Sequence, residues 1–266
     1  MTEKYSGKKW TWEDEYLVSS YEVDARGSMP LPSLGKFMQE TAYNHANHLD
    51  FGYDQLKEQG LFWVLSRLLI SIDKYPRWGD KIRVRTWPSG VEGLLAYREF
   101  KVLDAQGNPI AAASSAWLML DSEKHRPQRP ELLKDRNGLF PTECALDRRP
   151  AKILSLTEPK EGMFFPVRYS DLDLYDHVNN AKYMQWILDS YPEELLRRNE
   201  TTIFEINFLA EAKMGDDVAI HTQEIETPPS PVFSFRHSIK RKSDARDICL
   251  AEVSWKHNQL ARMDRM

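Results

Sequence analysis

The sequence predicts an α+β protein built as two copies of one unit, each a single helix wrapped by an antiparallel sheet. Three observations carry this. Two segments align as helices, SLGKFMQETA (33–42) with NNAKYMQWIL (179–188), at an offset of 179 − 33 = 146. A turn segment, DKYPRWGDKIRV (73–84), aligns with LAEAKMGDDVAI (209–220) at 216 − 80 = 136. A strand segment, NPIAAASSAW (108–117), resembles DICLAEVSW (247–255), and both end in Trp. Repetition on this scale decides the architecture.

The elements follow in order. In each copy a strand leads into the helix. Leu34, Phe37, Met38, Thr41 and Ala42 recur at helical spacing in the first copy, as Ala181, Met184, Ile187, Leu188 and Tyr191 do in the second. Pro192 opens a further helical turn. Strands are predicted over 62–75, 80–88, 93–103 and 108–120, then over 201–213, 217–226, 231–241 and 247–257. Gly79–Asp80, Pro88–Ser89–Gly90, Gln106–Gly107–Asn108 and Pro228–Pro229–Ser230 punctuate them. The stretch 125–160 is rich in Pro and charge and has no period. The expected organisation is a first repeat over 1–124, a linker over 125–160 and a second repeat over 161–266. The two sheets would pair edge to edge into one continuous sheet.

Composition narrows the function. The 266 residues are 41% hydrophobic and 29% charged, the balance of a soluble globular protein. The net charge of −4 gives no footprint for nucleic acid. Two cysteines, Cys144 and Cys249, are too few for a disulfide framework and fit a reducing compartment. The polar start, MTEKYSGKKWTWEDEY, has no secretory apolar region, and no apolar run reaches membrane-spanning length. A cytoplasmic protein acting on a small or medium-sized ligand is expected. His45 and His48 are three apart on one helix, but no third ligand is in view, so no metal is expected.

The densest polar segment is RYSDLDLYDHVNNAKYMQW (168–186), just ahead of the second helix. Helix starts present free N–H groups, and Asn179 or Asn180 is a natural cap. Aligned at 146, His177 faces Leu31, Asp173 faces Gly27 and Asn180 faces Leu34. At 136, Glu211 faces Tyr75. The polar set then belongs to one copy only, so one copy keeps the chemistry and the other shapes the pocket. Glu211 lies on a predicted strand among alternating apolar residues, where a carboxylate can serve as a base. Lys81, Arg83 and Arg85 alternate with Ile82, Val84 and Thr86 and form one basic strand face.

With these residues in hand, the chain resembles the acyl-acyl carrier protein (acyl-ACP) thioesterases of plant plastids and bacteria, which have a double hot-dog fold. The segment 62–90 is similar to the family's first-copy strand pair and contains its W-G-D as Trp78, Gly79 and Asp80. SDLDLYDHVNNAKYMQWILDS (170–190) is similar to the family signature D-L-D-x-N-x-H-V-N-N. The resemblance implies catalytic roles for Asp173, His177 and Glu211. It implies release of free fatty acid from acyl-ACP, which ends chain elongation, with no cofactor. Two positions depart: the family's Asn is Tyr175 here, and the Cys that plant members carry after the Glu is Ala212. The second departure speaks against a Cys–His nucleophile. The first leaves an oxyanion or positioning role to Tyr175, Asn179, Asn180 or a backbone amide. The implied partner is acyl carrier protein bearing its phosphopantetheine-linked chain, with Lys81, Arg83 and Arg85 as a docking stripe for an acidic surface. A homodimer stays open. Acyl-CoA hydrolysis, and a non-catalytic acyl-binding role, are the alternatives.

Overall fold

The computed structural model describes residues 7–158, 160–225 and 232–257. The predicted turn at Pro228–Pro229–Ser230, the strand ends at 226 and 231, and the chain ends at 1–6 and 258–266 lie outside those residues. The chain divides into two compact units. Unit 1 holds the residues up to Ser66 together with Lys74–Pro150. Unit 2 holds Arg67–Asp73 and the chain from Ala151 onward. The strand Leu61–Ile72 is thus a member of both, a division the sequence boundaries do not contain.

Unit 1 runs β1 (Trp12–Leu17), α1 (Leu31–His48), α2 (Tyr53–Lys57), β2 (Leu61–Ile72), β3 (Lys81–Glu92), β4 (Leu95–Leu103), β5 (Pro109–Asp121) and the short β6 (Pro127–Gln128). Its hydrogen-bonded order is β1-β3-β4-β5-β2, with β6 on β5. Unit 2 runs β7 (Lys160–Pro166), α3 (Asn180–Asp189), α4 (Glu193–Arg198), β8 (Asn199–Phe208), β9 (Asp217–Ile225), β10 (Val232–Arg241) and β11 (Asp247–His257). Its order is β8-β11-β10-β9-β7, and Arg67–Ser71 of β2 pair antiparallel with β8. Each predicted strand has a counterpart, but the one predicted over 201–213 ends at Phe208, so Glu211 lies in the loop after β8 and not on the strand; Pro192 caps the short α4.

Each helix forms because one stripe is apolar and has a sheet to bury it. In α1, Leu31, Leu34, Met38 and Ala42 are buried, and Tyr16 of β1 stacks on Phe37 at 4.3 Å. In α3, Ala181, Met184 and Ile187 are buried, with Tyr183 edge-on to Phe208 at 5.7 Å. A fully buried Leu, Ile or Met contributes roughly 1.5–3 kcal/mol, far more than propensity gives helices this short.

The backbone corrects the alignment of the two copies. The loop ahead of α1 and the loop ahead of α3 match at an offset of 149, not 146. Ser19 N donates to Glu22 Oε2, and Arg168 N donates to Asp171 Oδ2. Met29 N donates to Pro76 O, and Val178 N to Ala212 O. The helices start at Leu31 and Asn180, and 180 − 31 = 149. At that offset buried Leu34 and Met38 answer to buried Tyr183 and Ile187. The shared lettering of KFMQ and KYMQ is therefore one helical turn out of register. His177 corresponds to Ser28, Asn180 to Leu31, and Asp173 to an aspartate, Asp24.

The offset of 136 holds for the turn that each helix start packs against. Arg77 N donates to Asp80 Oδ2 at 2.8 Å, and Lys213 N donates to Asp216 Oδ2 at 2.9 Å. Gly79 and Gly215 have φ of 86° and 89°, a region open to glycine at little cost. Trp78–Gly79–Asp80 is thus a turn motif that unit 2 repeats as Met214–Gly215–Asp216, and Glu211 does correspond to Tyr75.

The unperiodic stretch 125–160 is not loose over its middle. Glu99, fully buried on β4, accepts from Ala145 N at 3.2 Å and from the hydroxyls of Ser89 and Ser114. On β8, Glu205 accepts from Ala151 N at 2.5 Å. Asn207 pairs like a strand backbone, accepting from Ile153 N and donating to Ala151 O, both at 2.9 Å.

Candidate functional site

The local sequence around 168–180 folds into three successive backbone devices. Tyr169–Asp171 make one 3-10 turn closed by the Asp171 side chain. Asp173–His177 make a tight turn in which Asp173 N donates to His177 O at 2.8 Å and Asp176 N donates to Asp173 O at 3.1 Å. Asp176 adopts φ of 61° to complete it, a conformation Asp tolerates better than most residues. Asn179 then caps α3, its side chain accepting from Ala181 N at 2.9 Å.

This path delivers His177 to Glu211. Its Nε2 lies 3.1 Å from Glu211 Oε2, with the two side chains 21% and 36% exposed. The contact is set by neighbouring backbone, since the next residues, Val178 and Ala212, are hydrogen-bonded to each other at 2.9 Å. Two further groups fix the carboxylate's own segment. Arg241 Nη2 donates to Glu211 O at 2.7 Å, and Tyr183 Oη accepts from Ala212 N at 3.0 Å. Burial pushes the Tyr183 phenol up, so it stays protonated. Arg241 is itself held by Asp216 and Asp244.

Each residue singled out from the sequence has a definite place. His177 and Glu211 meet. Asp173 lies four residues before the histidine, and its carboxylate accepts from Tyr175 N at 2.9 Å. Among the described residues no hydrogen bond joins that carboxylate to the His177 ring. Asp171, the first acid of the D-L-D run, is buried and structural. It accepts from Arg168 N, pairs with Lys182 at 3.1 Å, and its carbonyl takes Asn179 N. Tyr175 is 44% exposed, and Asn180 is the first residue of α3. Tyr183 and Arg241 were not legible as site residues: one reads as a helix-core aromatic, the other as a charge in a hairpin.

The basic strand face is present but compensated. Arg83 and Arg85 both pair with Glu13, at 3.0 and 2.8 Å, and Lys81 faces Glu15 at 3.7 Å. Glu13 and Glu15 alternate on β1 and meet these cations across the antiparallel ladder. Cys144 is exposed and Cys249 buried, and both are free. Burial pushes the Cys249 thiol up, which keeps it protonated and unreactive. Among the described residues no group of three or more His, Cys, Asp or Glu could hold a metal ion, and no helix is long and apolar enough to cross a membrane.

Tyr175 gives a first prediction. Its backbone N–H makes the turn, so Tyr175→Phe leaves the turn intact. The expected loss of turnover is below about tenfold, against the roughly 10²–10³ that follows removal of an oxyanion donor. Steady-state kcat of the purified variant decides it, and a loss in the larger range would make the phenol the donor.

The chain was compared with known proteins. The acyl-ACP thioesterase N-terminal domain matches residues 9–134 and the acyl-ACP thioesterase C-terminal domain matches 154–257. It is 29% identical over 240 residues to the chloroplastic oleoyl-acyl carrier protein thioesterase 2 of Arabidopsis thaliana, covering 82% of this chain and 64% of that one. It is 31% identical over 215 residues to the chloroplastic palmitoyl-acyl carrier protein thioesterase of the same plant, covering 75% and 52%. The aligned part thus spans about half to two thirds of these relatives. Among solved structures, an acyl-ACP thioesterase from Bacteroides thetaiotaomicron has a TM-score of 0.83 at 27% identity, covering 92% of this chain and 98% of that one. The 12:0-ACP thioesterase from Umbellularia californica shares the fold, with a TM-score of 0.82 at 22% identity, covering 94% and 95%. With both domains matched, and the helix-plus-sheet unit present twice, the chain belongs to the acyl-ACP thioesterase family.

Proposed function

We propose that this protein hydrolyses acyl-ACP to free fatty acid and carrier protein. The observation that carries the reading is the His177–Glu211 pair at the start of α3, 3.1 Å apart, in a chain of this family. A thioester carbonyl has weak resonance with sulfur, so a water polarised by a base can add to it. Glu211 takes the proton from that water as the O–C bond forms. The tetrahedral oxyanion then collapses and the C–S bond breaks. Glu211 passes the water's proton to His177 across their 3.1 Å contact, and His177 delivers it to the leaving thiolate, which restores both groups. For the oxyanion, the start of α3 offers a donor. Asn179 N, Ala181 N and Lys182 N already have acceptors, whereas the Asn180 N–H has none among the described residues. It points along the positive end of the helix.

The substrate arrives on the phosphopantetheine arm of acyl carrier protein. Cytoplasmic placement is supported by the two unpaired cysteines. A second copy as partner is the remaining possibility on the partner side and would show as a dimer by light scattering.

The assay that tests the function is thiol release from acyl-ACP and acyl-CoA of several chain lengths. Turnover on acyl-ACP exceeding that on acyl-CoA supports the proposal. Preference for acyl-CoA would make it the other thioesterase, and binding without turnover a non-catalytic acyl-binding protein. The same assay measures the stripe at Lys81, Arg83 and Arg85. Two carboxylates offset three cations there, leaving 3 − 2 = +1. Charge reversal of all three should change KM for acyl-ACP by less than about threefold, because compensated surface charge steers weakly. A tenfold rise would restore the stripe as the docking surface.

A further inference from the structure

The sheet lets go of the chain just before Glu211. β8 last pairs with β11 at Phe208, opposite Cys249, and then Leu209 N and Ala210 N both donate to Ile248 O, at 2.9 and 3.2 Å. The peptide group that follows Glu211 is gripped by two side chains instead, one at each end. Its carbonyl, Glu211 O, accepts from Arg241 Nη2 at 2.7 Å, and its N–H, on Ala212, donates to Tyr183 Oη at 3.0 Å. The next carbonyl, Ala212 O, accepts from Val178 N at 2.9 Å, and Val178 follows His177. Glu211 thus springs from a clamped peptide, and the histidine hangs from the neighbouring one. The clamp is itself well seated. Arg241 lies 3.1 Å from Asp244 and 3.5 Å from Asp216, and buried Tyr183 packs edge-on to Trp186 and Phe208.

Unit 1 has the same backbone around this point. Lys74 N donates to Ile110 O as Ala210 N does to Ile248 O, and Met29 N donates to Pro76 O as Val178 N does to Ala212 O. Asp104 N closes the β4–β5 hairpin on Asn108 O at 2.9 Å, as Arg241 N closes the β10–β11 hairpin on Arg246 O at 3.0 Å. Three residues differ. Pro76 stands in the place of Ala212 and has no N–H to give. Leu34 stands in the place of Tyr183 and has no oxygen to receive one. Asp104 stands in the place of Arg241, and its carboxylate accepts from Gln106 N and Asn108 N of its own hairpin, at 3.0 and 2.8 Å. Neither half of the clamp can form in the copy that has Tyr75 where the other has Glu211. The shared backbone does without the clamp, and the copy with the His177–Glu211 pair has it.

We propose that Tyr183 and Arg241 are positioning residues for hydrolysis, which aim the Glu211 carboxylate at His177 by gripping one peptide group at both ends. This rests on the hydrolase reading of the His177–Glu211 pair. The direction of a side chain follows from the peptide planes that flank its Cα. The Glu211 carboxylate sits several bonds out from that Cα, so a small turn of the plane is magnified at its oxygens. A displacement of about 1 Å is enough to cost on the order of 10²-fold in rate. The two grips differ in strength. Arg241 brings a charged donor to the carbonyl, and such bonds are roughly twice as strong as neutral ones. Tyr183 brings a rigid, buried ring whose oxygen has no freedom to follow a moving amide.

The test uses the full chain with Tyr183→Phe, Arg241→Met, Glu211→Gln and the Tyr183→Phe/Glu211→Gln double variant. Tyr191→Phe is the control, since it deletes another buried phenol of unit 2, one that lies 2.6 Å from His237. The readouts are kcat and KM on acyl-ACP, Tm, and amide hydrogen exchange at Val178. Tyr183→Phe and Arg241→Met should each lower kcat by about 10–100-fold with KM within about threefold of the parent. Tyr191→Phe should lower Tm by a few degrees, as much as Tyr183→Phe does, and keep kcat within about threefold. The double variant should turn over within about threefold of Glu211→Gln alone, because aim is worth nothing once the carboxylate is gone. Exchange at Val178 should quicken at least about tenfold in both clamp variants and not in Tyr191→Phe, although neither substitution touches the bond from Val178 to Ala212 O. Should Arg241→Met fail to fold, Tyr183→Phe, which keeps the ring, decides alone. Turnover within about threefold of the parent in the folded clamp variants overturns the proposal, as do losses that multiply in the double variant. A parent that hydrolyses no acyl thioester fails the hydrolase reading by itself. The exchange at Val178 then still decides whether the clamp holds the segment, and exchange no faster than in Tyr191→Phe would sink it.

Discussion

Glu211→Gln should lower kcat by about 10²–10⁴ while the protein stays folded, the range that follows loss of a positioned general base. The fold is expected to survive because the segment is held by its backbone. Arg241 binds the Glu211 carbonyl and Tyr183 binds the next amide, and neither bond uses the carboxylate. The carboxylate is over a third exposed, so the neutral amide brings no burial penalty. His177→Ala should fall into the same range. The two residues work as one unit, so the double variant should cost little more than the worse single one. Steady-state kinetics with a thermal melt for each variant give the answer. Turnover within tenfold of the parent in a folded single variant would take that residue out of the mechanism.

The second large effect is acid instability that begins above the carboxylate range. Two histidines are fully buried. His45, on α1, donates from Nε2 to Lys9 O at 2.9 Å and accepts at Nδ1 from Arg98 Nη1 at 3.0 Å. Burial, reinforced by the Arg98 charge, lowers its pKa from 6.5 to about 3. His237, on β10, lies 2.6 Å from Tyr191 Oη and 3.1 Å from Thr222 Oγ1, and burial lowers it to about 3 as well. In the unfolded chain both rings titrate near 6.5. Between that value and about 3 the unfolded state binds protons that the native state refuses. Stability is therefore complete above pH 6.5 and is lost as pH falls towards 3. By pH 5 the two rings together remove about 4 kcal/mol, a large share of the roughly 5–15 kcal/mol that a domain has. Urea midpoints measured at pH 7.5, 6 and 5 should fall steadily. His237→Gln, which keeps a hydrogen-bonding group and does not titrate, should remove about half of that dependence. Equal midpoints at pH 7.5 and 5 would show that the rings are protonated in the native state.

The strands and both main helices were legible because burial imposes a period that the sequence carries openly. Ile82, Val84 and Thr86 alternate with cations because one face of β3 is buried. His177 and Glu211 stood out because the second copy differs from the first at those places. What misled was letter identity on a helix. KFMQ and KYMQ align well as text, yet burial and hydrogen bonds place them one turn apart. Asp173 then seemed special to one copy, because its counterpart Asp24 was paired with the wrong residue. The basic stripe was read from its own strand alone. Its neutralisation comes from Glu13 and Glu15, some seventy residues away, and only the β1–β3 ladder brings them together.

The fastening of the middle of the chain bears on any attempt to dissect it. The two matched family regions leave a gap between 134 and 154, and a cut there would look harmless. Beginning the second half at 154 removes Ala151 and Ile153, and with them both hydrogen-bond partners of the buried Asn207 amide and one partner of the buried Glu205 carboxylate. A buried polar group stripped of its partner costs about 1–3 kcal/mol, so such a fragment starts life close to its own unfolding limit. A fragment begun at Ala151 keeps those bonds. It still lacks Arg67–Ser71, the segment of β2 that lines the edge of β8, and would expose that strand's unpaired backbone to the first available neighbour. Neither half of this duplicated chain is a free-standing ancestor that can be recovered with one cut.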